Sequence, residues 1–148
     1  MCIIVDACCA NSLGNADWPQ AHLIRDWVRG GGKIVSGGLL QRELKNTALQ
    51  ALLVQWSASG RLINKDPTEI KIEEEKLDRS KVKSNDLHVI ALARLSGAKV
   101  IVTRDQDLMY DLKKSPEIGK ARKIYPMGEK PAKNLKVHRG VLRNAGCV

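Results

Sequence analysis

Two acidic residues follow closely after apolar runs that are typical of buried strands. Asp6 comes immediately after the run Cys2 to Val5, and Asp105 lies two residues after the run Lys99 to Thr103. In an open parallel sheet, ligands bind beyond the carboxyl ends of the strands, so both acids are expected at the same edge. The sequence therefore predicts a functional site at that edge of the sheet.

Three further acids are placed to join this pair. Asp86 lies in the first turn of a helix predicted over Ser84 to Ser96, and Asp107 lies in the first turn after the second apolar run. Free amides and the helix dipole favour an ionised carboxylate at both positions. Glu43 lies two turns into a helix that is predicted to begin at Ser36. Taken alone, Asp86 is more typical of a helix-start acid than of a ligand, so the hypothesis depends on the group.

Carboxylates crowded in this way indicate a bound divalent cation. Their mutual repulsion raises their pKa values unless a cation neutralises them. Ligand sets made only of oxygen suit Mg²⁺ or Mn²⁺ rather than zinc or copper. Such a site polarises a phosphoryl oxygen and delivers an attacking water, so the expected chemistry is phosphoryl transfer to water.

The elements that must position these acids alternate between short strands and helices. The strands are predicted at Cys2–Val5, Lys33–Val35, Lys99–Thr103 and Ile124–Tyr125. Besides Ser84–Ser96, the helices are predicted over Ala16–Gly30, from Ser36 to about Ser59, over Lys65–Lys83, and in the short segment after Thr103. Parallel strands need helical crossovers, so this order predicts an α/β layer fold with a mostly parallel central sheet.

The basic residues are concentrated at the carboxyl end of the chain. The net charge is +9 over 148 residues, and the length suits one domain over residues 1–126 with a basic tail over 127–148. A polyanion is the natural partner of such a segment, and the alternative is a solvated terminus that keeps the protein soluble. The candidate phosphate-binding residues in this tail are Lys130, Lys133, Lys136, Arg139 and Arg143.

Composition points to a cytoplasmic protein. No stretch approaches the roughly 20 apolar residues that a membrane span needs, and the amino terminus lacks the pattern of a secretory signal. The four cysteines fit neither a secreted disulfide framework nor a zinc site, so we expect small, reduced, apolar side chains. Phe is absent, which predicts an aliphatic core.

Three segments together resemble the PIN-domain family of nucleases, which includes the toxins of many prokaryotic toxin–antitoxin pairs. The family's opening strand and first acid are matched by IIVDACC, and its second strand and helix, with a Ser or Thr preceding a Glu, by IVSGGLLQREL. The most specific match is SNDLHVIALARLSGAKVIVTRDQDL, in which an acid begins a helix and the next strand ends in Thr-Arg-Asp. The resemblance covers about Met1 to Leu112. It departs from the family at Cys8 and Cys9, where small or hydroxyl residues are commoner.

This resemblance implies a three-layer α/β/α fold and cleavage of RNA within the chain, dependent on Mg²⁺ or Mn²⁺. It implies that the ligands of the metal, or of water bound to it, are Asp6, Glu43, Asp86 and Asp105, with Asp107 as a further ligand and Thr103 and Ser36 in support. An inhibitory antitoxin protein and a second copy of the chain are the protein partners that the resemblance suggests.

Other functions fit the sequence less well. A non-catalytic PIN-like module that binds RNA or protein is the main alternative, and the presence of all four acids counts against it. A haloacid-dehalogenase-like phosphatase needs a second Asp where this chain has Cys8, and a receiver domain needs paired acids at that strand end. The glycines lack the spacing of a P-loop or dinucleotide site. We set His88 aside as a general base because helical spacing points it away from Asp86, and we interpret Asp111 as solvated or capping.

Overall fold

The structure is a computed structural model that describes residues 1–15, 18, 20–115, 123–125 and 131–146, with only the backbone described for 131–135. This part of the chain contains one sheet of five parallel strands in the order β3-β2-β1-β4-β5. The strands are β1 Cys2–Val5, β2 Lys33–Gly37, β3 Leu62–Lys65, β4 Val100–Val102 and β5 Lys123–Ile124.

Helices cover both faces of the sheet, so the predicted three-layer α/β/α fold with a parallel sheet is confirmed. In the described ranges the helices are α1 Ala7–Asn15, α2 Ala21–Arg29, α3 Gly38–Lys45, α4 Gln50–Ala58, α5 Pro67–Glu75, α6 Leu87–Ser96, α7 Gln106–Lys114 and α8 Pro131–Arg143, with a 3₁₀ turn at Arg79–Lys81. Helix α6 packs against α3, α5 and β2, whereas α1 contacts α2, α3 and α4.

The central strand β1 and its neighbour β4 are buried along their whole length. Aliphatic and β-branched side chains fill them because a parallel sheet covered on both faces presents no side to water. The prediction of an aliphatic core is confirmed, since Ile, Leu, Val and Ala supply most of the buried cluster. Gly97 ends α6 in the left-handed conformation with φ 68°, as its position after the helix indicated.

The single long helix predicted from Ser36 to about Ser59 is wrong. Strand β2 continues through Ser36 to Gly37, where φ is 150° and an added Cβ would lie 2.6 Å from the Lys65 carbonyl oxygen. The helical segment that follows divides into α3 and α4 at a turn. In this turn the Thr47 hydroxyl donates to the Leu44 carbonyl at 2.7 Å and accepts from the Leu49 amide at 3.2 Å.

Two helices were not predicted from the sequence. Helix α1 begins directly after Asp6 and buries Cys9, Ala10 and Leu13. Helix α8 lies in the predicted basic tail and contacts α2. It buries His138 and Leu142, so the tail contributes to the core. The division of the chain after residue 126 stays a prediction.

Two expectations drawn from composition concern the cysteines and the membrane. Cys8 and Cys9 are free thiols, but Cys2 is disulfide-bonded, so the expectation of a reduced side chain is wrong at that position. None of the helices in the described ranges is both long and apolar enough to span a membrane.

Candidate active site

The direction in which the chain adds strands to the sheet changes between β1 and β4. From β1 the chain adds β2 and β3 on one side, and then crosses to add β4 and β5 on the other. At such a switch point the loops that leave the two strands separate, which opens a crevice beyond their carboxyl ends. Val5 pairs with Val102, so Asp6 and Thr103 are the next residues on either side of this crevice.

A single hydroxyl group joins the two acids at this crevice. The Thr103 Oγ1 donates to Asp6 Oδ2 at 2.7 Å and accepts from the Asp105 backbone amide at 3.1 Å. Asp6 is only 4% exposed, and Asp105 caps α7 by accepting from the Leu108 amide at 2.8 Å. Both acids are therefore held by hydrogen bonds at adjacent strand ends, as the sequence indicated.

Asp86 lies at the N-cap of α6 and is an electrostatic neighbour of the other acids. Burial raises the pKa of this carboxyl most, and negative charges nearby raise it further, while His88 opposes the shift. The neighbouring charges that raise it belong to Asp6, Asp105 and Glu43. Asp86 is thus within electrostatic range of the three other acids that the resemblance singled out.

These carboxylates are not close enough to one another to form a complete coordination shell for a metal ion. Within the part of the chain that the structure describes, no three His, Cys, Asp or Glu side chains lie close enough together to hold a metal ion as they stand. Charge repulsion acts over longer distances than ligation, which needs oxygens at roughly 2.0–2.1 Å from Mg²⁺. The donor set, composed of carboxylate oxygens that repel one another, still fits a hard divalent cation.

His88 contacts one of the four acids, which the sequence pattern did not predict. It is 6% exposed, and its Nε2 lies 3.2 Å from Glu43 Oε2. Helical spacing does separate this ring from Asp86 along α6, but the same rotation turns it toward α3, which carries Glu43. Because this contact depends on how the two helices pack, no local pattern around His88 signals it.

Asp111 was interpreted wrongly as solvated or capping. Its side chain is fully buried and accepts hydrogen bonds from the backbone amides of Lys83, at 2.9 Å, and Ser84, at 2.8 Å. The sequence did hold a signal, because Asp111 follows Leu108 by three residues and precedes Leu112 by one. Those two leucines are buried, so this spacing places Asp111 on the inward face of α7.

The remaining predicted residues lie apart from this group of acids or at its margin. Ser36 is in β2, and its buried Oγ has no hydrogen-bond partner in the structure. It lines a cavity of about 150 Å³ next to α4 and β3. Asp107 lies in the first turn of α7 with an exposed side chain.

The predicted phosphate-binding residues of the tail are only partly described. Lys130 lies outside the described residues and Lys133 is described as backbone alone, whereas Lys136, Arg139 and Arg143 are exposed on α8. Arg139 and Arg143 border a groove that also contains Met1. Met1 precedes β1, so these two cations lie toward the opposite end of that strand from Asp6.

Another set of cations, not predicted from the sequence, is closer to the acids. A groove of about 810 Å³ begins at Thr103 and runs between α7, β5 and α8. Its described lining includes the exposed cationic residues Arg104, Lys113 and Lys123. A negatively charged chain lying in this groove would meet positive charge next to the carboxylate site.

Comparison with known proteins identifies the family. The sequence model of the family described as PIN domain matches residues 3–114, which is more than half of the chain. No curated protein and no solved structure matches the chain. PIN domains are in general nucleases that use divalent metals. The matched region contains β1 to β4 and all four acids, and the chain belongs to the PIN-domain family.

Proposed function

We propose that this chain is an endoribonuclease that depends on Mg²⁺ or Mn²⁺. The observation that carries the proposal is the pair Asp6 and Asp105, joined by the Thr103 hydroxyl at the switch point of the sheet. The raised pKa of Asp86 supports it, because this shift comes in part from the charges of the other acids. PIN nucleases act on RNA or DNA, and RNA is the substrate proposed here.

In this proposal the four carboxylates Asp6, Glu43, Asp86 and Asp105 hold the metal. A bound ion supplies Lewis acidity toward a phosphoryl oxygen and offsets the repulsion between the acids. Thr103 fixes the orientation of Asp6, and His88 holds Glu43 from the side of α6. Preorganisation of this kind reduces the reorganisation that the reaction requires.

The charged groove supports a nucleic acid as the substrate. Arg104 directly precedes Asp105, and Lys113 and Lys123 continue the positive charge away from the site. Contacts to phosphate give affinity without reading sequence. The groove therefore suits a polyanion whose scissile phosphate lies at the acids.

The test is cleavage of an end-labelled structured RNA by the purified protein, with Mg²⁺, with Mn²⁺ and with excess EDTA. We expect metal-dependent cutting within the chain, and a loss of at least about 100-fold in Asp6→Asn and Asp105→Asn. Asp26→Asn is the matched control, because this acid is exposed on α2 and should leave the rate unchanged. A DNA of the same sequence tests the choice of substrate.

A folded wild-type protein that cuts no RNA in either metal would contradict the proposal. Binding of the same RNA without cleavage would then favour the alternative of a non-catalytic binding module. Cleavage that survives in both Asn variants would show that the activity lies elsewhere.

The family resemblance extends the proposal to a cytoplasmic toxin with an inhibitory antitoxin protein as partner. We expect overexpression of the chain alone to arrest growth, and Asp6→Asn to abolish the arrest. Normal growth with a protein that cuts RNA after purification would count against this part. A homodimer is also proposed, and sedimentation equilibrium measures the mass that decides it.

A further inference from the structure

The buried carboxylate of Asp111 binds a different segment of the chain. Lys83 N lies 2.9 Å from Oδ1 and 3.0 Å from Oδ2, and Ser84 N lies 2.8 Å from Oδ2. A carboxylate removed from water is costly unless hydrogen bonds replace its hydration. Here two backbone amides from the connection between the 3₁₀ turn and α6 replace it.

This connection carries Asp86, and the hydrogen bonds continue to it. Ser84 is 5% exposed, and its Oγ accepts from the backbone amide of Asp86 at 3.0 Å. The Asp111 carboxylate therefore fixes Ser84, and Ser84 fixes the backbone of Asp86. Nearby, the Ser115 hydroxyl donates to the Lys81 carbonyl at 2.9 Å, which ties the 3₁₀ turn before this connection to the end of α7.

Helix α7 thereby links two of the four acids. Asp105 caps its first turn, and Asp111 lies six residues further along. One helix carries Asp105 and also holds the segment that carries Asp86. The relative placement of these two acids is thus set by α7 rather than by the sheet alone.

We propose that Asp111 is a positioning residue that holds Asp86 in place for metal binding. The inference rests on the proposed function, in which Asp86 is a metal ligand. Asp111 acts through Ser84 and does not itself touch the metal or the substrate.

The variant that tests this is Asp111→Asn. Asn keeps the shape of the side chain but replaces one accepting oxygen with an NH₂ group, which cannot accept from the backbone amides. In metal-free protein, hydrogen exchange should become faster at the amides of Lys83, Ser84 and Asp86. The Kd for Mn²⁺, measured by electron paramagnetic resonance below the melting temperature, should rise about tenfold or more, as is typical when support behind a ligand is lost.

Two controls separate positioning from a general loss of stability. Leu112→Ala removes a buried side chain of α7 but leaves the Asp111 carboxylate, so it should lower the Tm without changing the Kd for Mn²⁺. Asp66→Ala removes the oxygen that accepts from two backbone amides at the start of α5, and it should also leave that Kd unchanged. If Asp111→Asn does not fold, Ser84→Ala tests the same link, because it removes the acceptor of the Asp86 amide.

The double variant adds a further readout. Since Asp111 and Ser84 act in series, Asp111→Asn with Ser84→Ala should weaken Mn²⁺ binding no more than the worse single variant. Unchanged exchange at residues 83–86 in Asp111→Asn would overturn the inference, and so would an unchanged Kd for Mn²⁺ despite faster exchange. A wild-type protein that binds no Mn²⁺ would instead overturn the proposed metal site. Faster exchange in Asp111→Asn would then still show that Asp111 holds the segment.

Discussion

At the scale of single residues, the Thr103 hydroxyl connects the two acids at the ends of β1 and β4. It is fully buried, donates to Asp6 and accepts from the Asp105 amide, so both of its hydrogen-bonding functions are used. The β-branched side chain has few rotamers at this strand end, which keeps the hydroxyl aimed at the crevice. A buried polar group paired in this way is costly to replace.

Replacing Thr103 with Val keeps the shape of the side chain but removes the hydroxyl that donates to Asp6 at 2.7 Å, leaving only the longer contact from the Cys8 thiol at 3.2 Å. We expect the Kd for Mn²⁺ to rise about tenfold in Thr103→Val, with the cleavage rate reduced. Thr103→Ser should restore most of both, because it keeps the hydroxyl. Thr47→Val is the matched control, since Thr47 bonds only within the turn between α3 and α4. Equal metal affinity in Thr103→Val and wild type would contradict this role.

The positions of three acids of the candidate site could be predicted from the sequence, because each lies beside a recognisable element. Asp6 and Asp105 follow apolar strands, and Asp86 begins a strongly apolar helix. The spacing of Asp111 indicates that it faces inward, but the hydrogen-bond partners of His88 and Asp111 could not be predicted, because they lie 45 and 27 to 28 residues away in the chain. Such contacts depend on packing between elements, which the spacing of residues within one element does not predict.

At the level of elements, the close approach of α1 to the turn between α3 and α4 depends on a glycine. A Cβ added at Gly14 would collide with the backbone of Ala48 and Leu49. The Asn11 side chain also accepts from the Ala48 amide at 2.8 Å, so the two segments are joined as well as closely packed. This contact places α1, which begins beside Asp6, against the base of α3, which carries Glu43.

Gly14→Ala should destabilise the fold although Ala favours helices. The helical gain of about 1 kcal/mol is outweighed by a backbone collision that costs roughly 1–3 kcal/mol or more. Gly140→Ala is the matched control on α8, where an added Cβ meets nothing within 4 Å, and it should be neutral or stabilising. Thermal unfolding followed by circular dichroism measures both, and an unchanged or raised Tm in Gly14→Ala would refute the packing argument.

The two fully buried strands β1 and β4 could be predicted more reliably than the helices, whereas β3 was not predicted. A run such as Cys2–Val5 is too short for a typical helix and rich in β-branched residues, which favours a strand, whereas an apolar stripe fits one long helix or two short ones equally well. The break between α3 and α4 comes from the hydrogen bonds of Thr47, which the stripe does not reveal. Helix α8 was not predicted because one of its buried residues is His138, which interrupts the apolar pattern of the inward face.

At the level of the whole molecule, α8 closes one side of the core with an aromatic cluster. The ring of His138 lies 4.4 Å from that of Tyr125, and the Trp18 ring lies 5.5 Å from Tyr125. His138 is fully buried, and neither of its ring nitrogens has a hydrogen-bond partner. Burial therefore lowers the pKa of this imidazole below its usual value of 6.5.

This depressed pKa predicts that stability falls in mild acid. The unfolded chain binds a proton at His138 at higher pH than the folded chain does. The contribution of neutral His138 to the free energy of unfolding is therefore complete above about pH 6.5. It is lost as the pH falls through the lower pKa of the folded state. We expect the Tm to fall between pH 7.5 and 5.5, and His138→Phe to reduce that fall. His22→Phe is the control, because His22 is exposed, and an equal effect of both variants would contradict the assignment.

The exposed cations of α8 give a second prediction for the whole molecule. Lys136, Arg139 and Arg143 are spaced to share one face of the helix. Replacing all three with Gln should weaken RNA binding and lower the slope of log Kd against log salt by up to about 2. The control changes the same charge elsewhere, with Gln at Lys45, Lys71 and Arg79. If the slope is the same in the two triple variants, α8 is not part of the RNA-binding surface.

The repulsion around Asp86 also means that the site opposes the folding of the protein that contains it. The burial of Asp86 and the negative charges around it lower the stability of the metal-free fold, so activity and stability compete at this position. Asp86→Asn should accordingly have a higher Tm than the wild type in EDTA, and the order should reverse at saturating Mn²⁺, which stabilises only the chain that binds it. A wild type that melts no lower than Asp86→Asn in EDTA would contradict this trade. If the wild type does melt lower in EDTA, the ion is a structural component of the working protein, and its supply sets how much of the chain stays folded.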